Sequence, residues 1–134
     1  MTPPFLRIQE RALVMEKINK TFIEYKGEKY ELVFNLNVME EIQDEYETVE
    51  KWGGLVAASA EPKAKDIKYG FKVMLNEGID IYNETHANDD GFIKRDFLTD
   101  KQVGRIISEI GLAEVTNKLE QTVVDSTKSD EKNL

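Results

Sequence analysis

The feature that most constrains this chain is a change of hydrophobic period at Phe34-Asn35. Upstream, Thr21-Phe22-Ile23-Glu24-Tyr25 and Lys29-Tyr30-Glu31-Leu32-Val33-Phe34 are rich in aromatic and β-branched residues, which is strand composition. They flank Lys26-Gly27-Glu28, where Gly27 supplies the positive φ of a tight turn. At period two, Tyr30, Leu32 and Phe34 share one face. Downstream the period becomes 3.6, and Val38, Ile42, Tyr46 and Val49 fall on one side of a helix. A lone hairpin is marginal in water, so its apolar face must pack on the helices that follow. The expected fold is mainly α (α+β): a short N-terminal β-hairpin followed by three to four packed helices.

Local signals place those helices. Asn35 or Asn37 caps the first, Asn37 with Glu40 having the spacing of a capping box. It is expected over residues 38–51, stopped by Trp52-Gly53-Gly54. Residues 55–60 read as one short helix, and Pro62 suits the start of the next. Ile67, Phe71, Met74, Leu75, Ile79 and Tyr82 mark that helix over residues 63–84. Gly70 and Gly78, near its apolar face, either admit a close neighbour or merely weaken it. A polar loop follows over residues 85–97. Thr99 and Gln102 then form a capping box, with Leu98 and Val103 as the hydrophobic staple. Val103, Ile106, Ile107 and Ile110 are the stripe of this helix, and Gly111 ends it in a left-handed cap. Leu112, Val115, Leu119 and Val123 mark a last helix over residues 112–124. Residues 125–134 have little to bury and read as a disordered polar tail. Residues 1–18 are an extension before a single domain over residues 19–124. Phe5, Ile8, Ala12 and Met15 have helical spacing after two prolines, yet residues 1–14 also fit a mobile extension, with Met15 a second candidate start.

Composition removes whole classes of function. The chain has no Cys, which excludes disulfides, thiolate–metal sites and thiol catalysis. A single His excludes sites that need two. No apolar run reaches the roughly 20 residues of a membrane span. Met1-Thr2-Pro3-Pro4 does not open a secretory signal. A net charge of −8 without a basic patch speaks against nucleic acid. The expected setting is the cytoplasm, with no membrane association.

The residues that invite a chemical reading are few. His86-Ala87-Asn88-Asp89-Asp90-Gly91 resembles part of a calcium loop, whose oxygen ligands sit at positions 1, 3, 5 and 12 with Gly at 6. With Gly91 at position 6, Asn88 and Asp90 fall at 3 and 5, but His86 stands at 1 and Phe97 at 12, so two charged ligands are missing. A degenerate calcium-binding regulator is thus the weakest reading. Gly53-Gly54 has neither a preceding strand nor a following Lys, so it is no phosphate loop. No Ser has a His–Asp arrangement, and neither catalysis nor a cofactor is expected. The polar side of the first helix carries Glu40, Glu41, Asp44, Glu45, Glu47 and Glu50 with no base between them. It is either an ordinary solvated face or a docking face for a basic partner. Trp52 is either an interface anchor or a closure of the core.

The order of these segments resembles a known family. The run Gly27-Glu28-Lys29-Tyr30-Glu31-Leu32-Val33-Phe34 leads into Asn35-Leu36-Asn37-Val38-Met39-Glu40-Glu41-Ile42. Asp66-Ile67-Lys68-Tyr69-Gly70-Phe71-Lys72-Val73-Met74-Leu75-Asn76-Glu77-Gly78 follows, then Leu98-Thr99-Asp100-Lys101-Gln102-Val103-Gly104-Arg105-Ile106-Ile107. Over residues 18–124 this resembles the tail assembly chaperones of long-tailed bacteriophages and prophages, in particular those of Gram-positive hosts. The resemblance implies a non-enzymatic protein, encoded between the tail tube and tape measure genes. Such a protein coats and solubilises the tape measure protein, helps recruit tail tube protein, and is absent from the mature virion. It implies the host cytoplasm as location and leaves self-association open. In many members of that family a frameshift yields a longer product; Glu131-Lys132-Asn133 is one peptide that an A-rich slippery run can encode, as other codons can, and the resemblance leaves the longer product open. The runner-up is a structural tail or head–tail component retained in the virion. The expected partner surface comprises Glu40, Glu41, Asp44 and Glu47 together with apolar positions left open between helices, with Trp52 as its candidate anchor.

Overall fold

A computed structural model describes residues 20–57 and 63–132. Strands β1 (Thr21–Tyr25) and β2 (Glu28–Leu32) form an antiparallel hairpin in which Thr21 pairs with Leu32 and Tyr25 with Glu28. The turn residues Lys26 and Gly27 both have positive φ, 52° and 77°, as a two-residue primed turn requires. Five helices follow: α1 (Leu36–Tyr46), α2 (Val49–Ala57), α3 (Ala64–His86), α4 (Asp100–Ile110) and α5 (Leu112–Lys132).

Helix α3 is the axis of the molecule. Ile67, Phe71, Met74, Leu75 and Ile79 are all buried, and β2 and the other four helices pack around them. The hairpin delivers Ile23 and Leu32 to this core, and Val33 N–H donates to the Met74 carbonyl of α3 at 3.3 Å. Two glycines let neighbours approach. A Cβ at Gly78 would run into the Glu31 carbonyl oxygen of β2, and one at Gly70 would run into the Trp52 ring. Close packing, rather than a weakened helix, therefore accounts for both glycines.

The expected helix over 38–51 is in fact two. The break lies at Glu47-Thr48, before Trp52-Gly53-Gly54, and both glycines are inside α2. Glu47 takes a φ of 72° and its N–H closes α1 on the Gln43 carbonyl at 2.8 Å. Thr48 Oγ1 then accepts from Lys51 N–H at 3.0 Å, as a helix cap does. The mid-helix glycines cost about 1 kcal/mol each, which the burial of Trp52 and Val56 offsets. Asn35, not Asn37, caps α1: its side chain accepts from Val38 N–H at 3.2 Å. Asn37 lies inside the helix, so the Asn37–Glu40 capping box does not form.

The capping box on α4 is present as expected, with Thr99 accepting from Gln102 N–H and Gln102 accepting from Thr99 N–H. Gly111 closes α4 with a φ of 104° and an N–H bond to Ile107 at 2.7 Å. Its ψ of 141° is extended rather than left-handed helical. Helix α5 continues to Lys132, past the end expected at residue 124, so most of the tail read as disordered is helical. Thr122 and Asp125 are buried there, and Asp125 accepts from Gln121 Nε2 at 2.9 Å, giving this stretch polar contacts that composition does not reveal. Of the expected short helix over 55–60, residues 55–57 are the end of α2, while residues 58–60 and Pro62 lie outside the described residues, as does the extension over 1–18. Among the described residues, no helix is long and apolar enough to cross a membrane.

Candidate functional site

The first helix presents two different flanks. Asn37, Val38, Glu41 and Asp44 face one side, where α1 meets α3 and the start of α4 across a cleft of about 600 Å³. From α3 come Tyr69, Lys72, Val73, Asn76, Glu77 and Asp80, and the loop and α4 add Phe97 and Asp100. Among the described residues, five carboxylates thus line one concave surface with a single ammonium, Lys72. Lys72 is committed to Asp100 at 2.9 Å, and this contact holds the Asp100 carboxyl below the usual carboxylate range.

The remaining carboxylates differ in role. Glu77 Oε2 accepts from Asn35 Nδ2 at 2.6 Å and from Asn37 Nδ2 at 3.0 Å, tying the first turn of α1 to α3. Among the described residues, Glu41, Asp44 and Asp80 have no cationic partner. Tyr69 donates its hydroxyl to the Glu41 carbonyl at 2.9 Å, and its ring meets Tyr46 edge-on at 5.5 Å. Burial raises the Tyr69 phenol above its ordinary pKa, and the carboxylates of Glu41, Glu45 and Asp44 raise it further, so the negative field reaches the floor. Phe97, on the rim, is 54% exposed. Among the described residues, no three His, Asp or Glu side chains converge to hold a metal ion. The cleft offers carboxylate acceptors beside aromatic surface, a combination suited to Lys or Arg side chains, whose stems lie on rings while their heads pair with carboxylates.

The expected partner residues are therefore divided. Glu41 and Asp44 enter the cleft. Glu40 and Glu47 are exposed but line no part of it, and Glu47 is paired with Lys51 at 2.7 Å. Trp52 is not a surface anchor: it is 3% exposed, and its Nε1–H donates to the Asp66 carbonyl at 3.0 Å. The cleft also holds Glu77, Asp80, Phe97 and Asp100, which the sequence reading did not single out. The available signal was acidic residues beside the apolar stripe of α3, and Phe97 at the end of a polar loop.

The loop read against a calcium site is occupied with itself. His86 Nδ1 lies 2.7 Å from Asp89 Oδ2, and Asp89 N–H donates to the His86 carbonyl. Gly91 turns the chain at a φ of 72°. No family model, curated protein or solved structure matches the chain.

Proposed function

We propose that the protein is a tail assembly chaperone of a long-tailed bacteriophage or prophage, binding the tape measure protein through the acidic cleft and helping to recruit tail tube subunits. The observation that carries this reading is the convergence of Glu41, Asp44 and Asp80, none with a cationic partner among the described residues, beside Phe97 and Tyr69. A cleft of that composition accepts basic side chains from one face of a helical segment, and a long helical partner offers such faces repeatedly. The order and spacing of the sequence segments resemble that family, and the composition of the cleft is compatible with such a contact. On this reading the protein acts by binding.

The direct test is co-expression with the product of the large gene immediately downstream. A chaperone turns that product from insoluble to soluble and co-purifies with it. A product that stays aggregated beside abundant folded chaperone contradicts the proposal.

A further inference from the structure

The acidic cleft does not end at Phe97. That ring also borders a second depression of about 730 Å³, together with Tyr82, Phe92 and Ile93. Ile93 is 83% exposed, the most exposed large hydrophobic side chain among the described residues, and it follows Phe92 on the same connection between α3 and α4. Apolar side chains on a loose loop would carry little meaning, but this loop is held. Asn83 exchanges two hydrogen bonds with the backbone of Arg95, and Asn76 two with that of Leu98, at 2.8–3.1 Å. Arg95 stacks 3.8 Å over Tyr82 and pairs with Glu28 of the hairpin at 3.0 Å. Ile93 and Phe97 thus stand within two residues of a pinned position. Their exposure adds nothing to the stability of the fold. A partner that covers them finds them already ordered, so less conformational entropy is lost on binding.

The charge next to these side chains sets the chemistry of that partner. Phe97 shares the cleft with Glu41, Asp44 and Asp80, which have no cationic partner among the described residues. We infer that Phe97 and Ile93 are apolar anchors of one docking surface continuous with the cleft, and that its occupant is an amphipathic helix with Lys or Arg flanking an apolar stripe. The stripe covers Phe97 and Ile93 while the basic flank enters the cleft. This inference rests on the acidic-cleft reading and extends it. Charge alone asks only for basic side chains, whereas the two anchors also require an apolar stripe beside them.

Two labelled helical peptides of about 18 residues, roughly 27 Å long, test it. One carries leucines at i, i+3, i+4 and i+7 along one face with lysines beside them. The other has alanine in place of each leucine, which keeps the charge and favours the helix. By fluorescence anisotropy the full chain should bind the leucine peptide about tenfold or more tighter, because it covers both anchors. Ile93→Gln with Phe97→Gln should bring that ratio close to one. Ile93→Gln alone, at a side chain almost wholly in solvent, should lower it about threefold with no change in melting temperature. Leu112→Gln, at another exposed leucine that lines neither depression, should leave it unchanged. Reversing Glu41, Asp44 and Asp80 to lysine should weaken both peptides alike and preserve their ratio. Equal affinity of the parent for the two peptides overturns the apolar anchors and leaves the cleft standing, as does a leucine preference that survives in both the single and the double glutamine variants. Binding of both peptides that ignores the charge reversal overturns the cleft and this extension with it.

Discussion

The contact between Trp52 and Gly70 joins α2 to the central helix. The indole lies where a Cβ at residue 70 would stand, and its N–H reaches the Asp66 carbonyl one turn earlier in α3. Gly70→Ala forces that ring aside and is expected to cost about 1–3 kcal/mol, as overpacking of a core does. Gly53 is also helical but has nothing within 4 Å of its Cβ position. Gly53→Ala should therefore stabilise by up to about 1 kcal/mol. Denaturant unfolding of the two variants should give shifts of opposite sign. Tyr46 makes a second residue-level case. Its hydroxyl donates to Asp66 Oδ1 at 2.7 Å. Burial raises its pKa first and the hydrogen bond second, lifting it well above the ordinary 10.0. A tyrosine whose folded-state pKa is raised holds its proton more tightly folded than unfolded. Its contribution to stability is thus complete below pH 10 and is lost as pH climbs above that value. Stability measured from pH 8 to 11 should fall in the alkaline range, and Tyr46→Phe should flatten that fall.

At the scale of elements, two asparagines on α3 fix the long connection to α4. Asn83 donates to the Arg95 carbonyl and accepts from Arg95 N–H, both at 2.9 Å, and Asn76 does the same for Leu98 at 3.1 and 2.8 Å. They are seven residues apart, two turns on one face, so each replaces a strand partner for the loop. Arg95, held there, stacks 3.8 Å over Tyr82, donates to the Lys29 carbonyl and pairs with Glu28 at 3.0 Å, which locks the loop to the hairpin. Asn83→Ala leaves two backbone groups without partners and should cost about 1–3 kcal/mol, with faster amide exchange at Arg95. This pinning was not legible in the sequence, where residues 85–97 show no helical or strand period, because the partners are far apart in the chain. What was legible is what depends on near neighbours: the Lys26-Gly27 turn, the Thr99–Gln102 box and the stripe of α3. The break at Glu47 was missed because the run from Glu40 to Glu50 contains no Gly or Pro, and the nearest glycines drew the stop signal instead. The site divides in the same way. Glu41 and Asp44 stood out as an acidic helix face, but their meeting with Asp80 and Phe97 is set by how α1 lies against α3.

At the scale of the molecule, an acidic chain carries a cleft where negative charge is concentrated and largely uncompensated. Exposed charge pairs contribute only about 0.2–1 kcal/mol each, so affinity through this cleft depends on several acting together. Capture of the partner should weaken with added salt, since the Debye length falls to about 3 Å at 1 M. The same dependence separates the faces of α1. Reversing Glu41, Asp44 and Asp80 to lysine removes three attractive contacts and adds three repulsive ones, a loss of roughly tenfold or more in capture. Reversing Glu40 and Glu47, outside the cleft, changes the net charge by two thirds as much without touching it. The most direct measurement is therefore a pull-down of the product of the large gene immediately downstream, the partner proposed above, by these two variants and the parent, each first shown to melt at the parent temperature. The account predicts that the Glu41/Asp44/Asp80 variant loses the partner while the Glu40/Glu47 variant keeps it. Equal capture by all three would contradict the acidic cleft as the binding site.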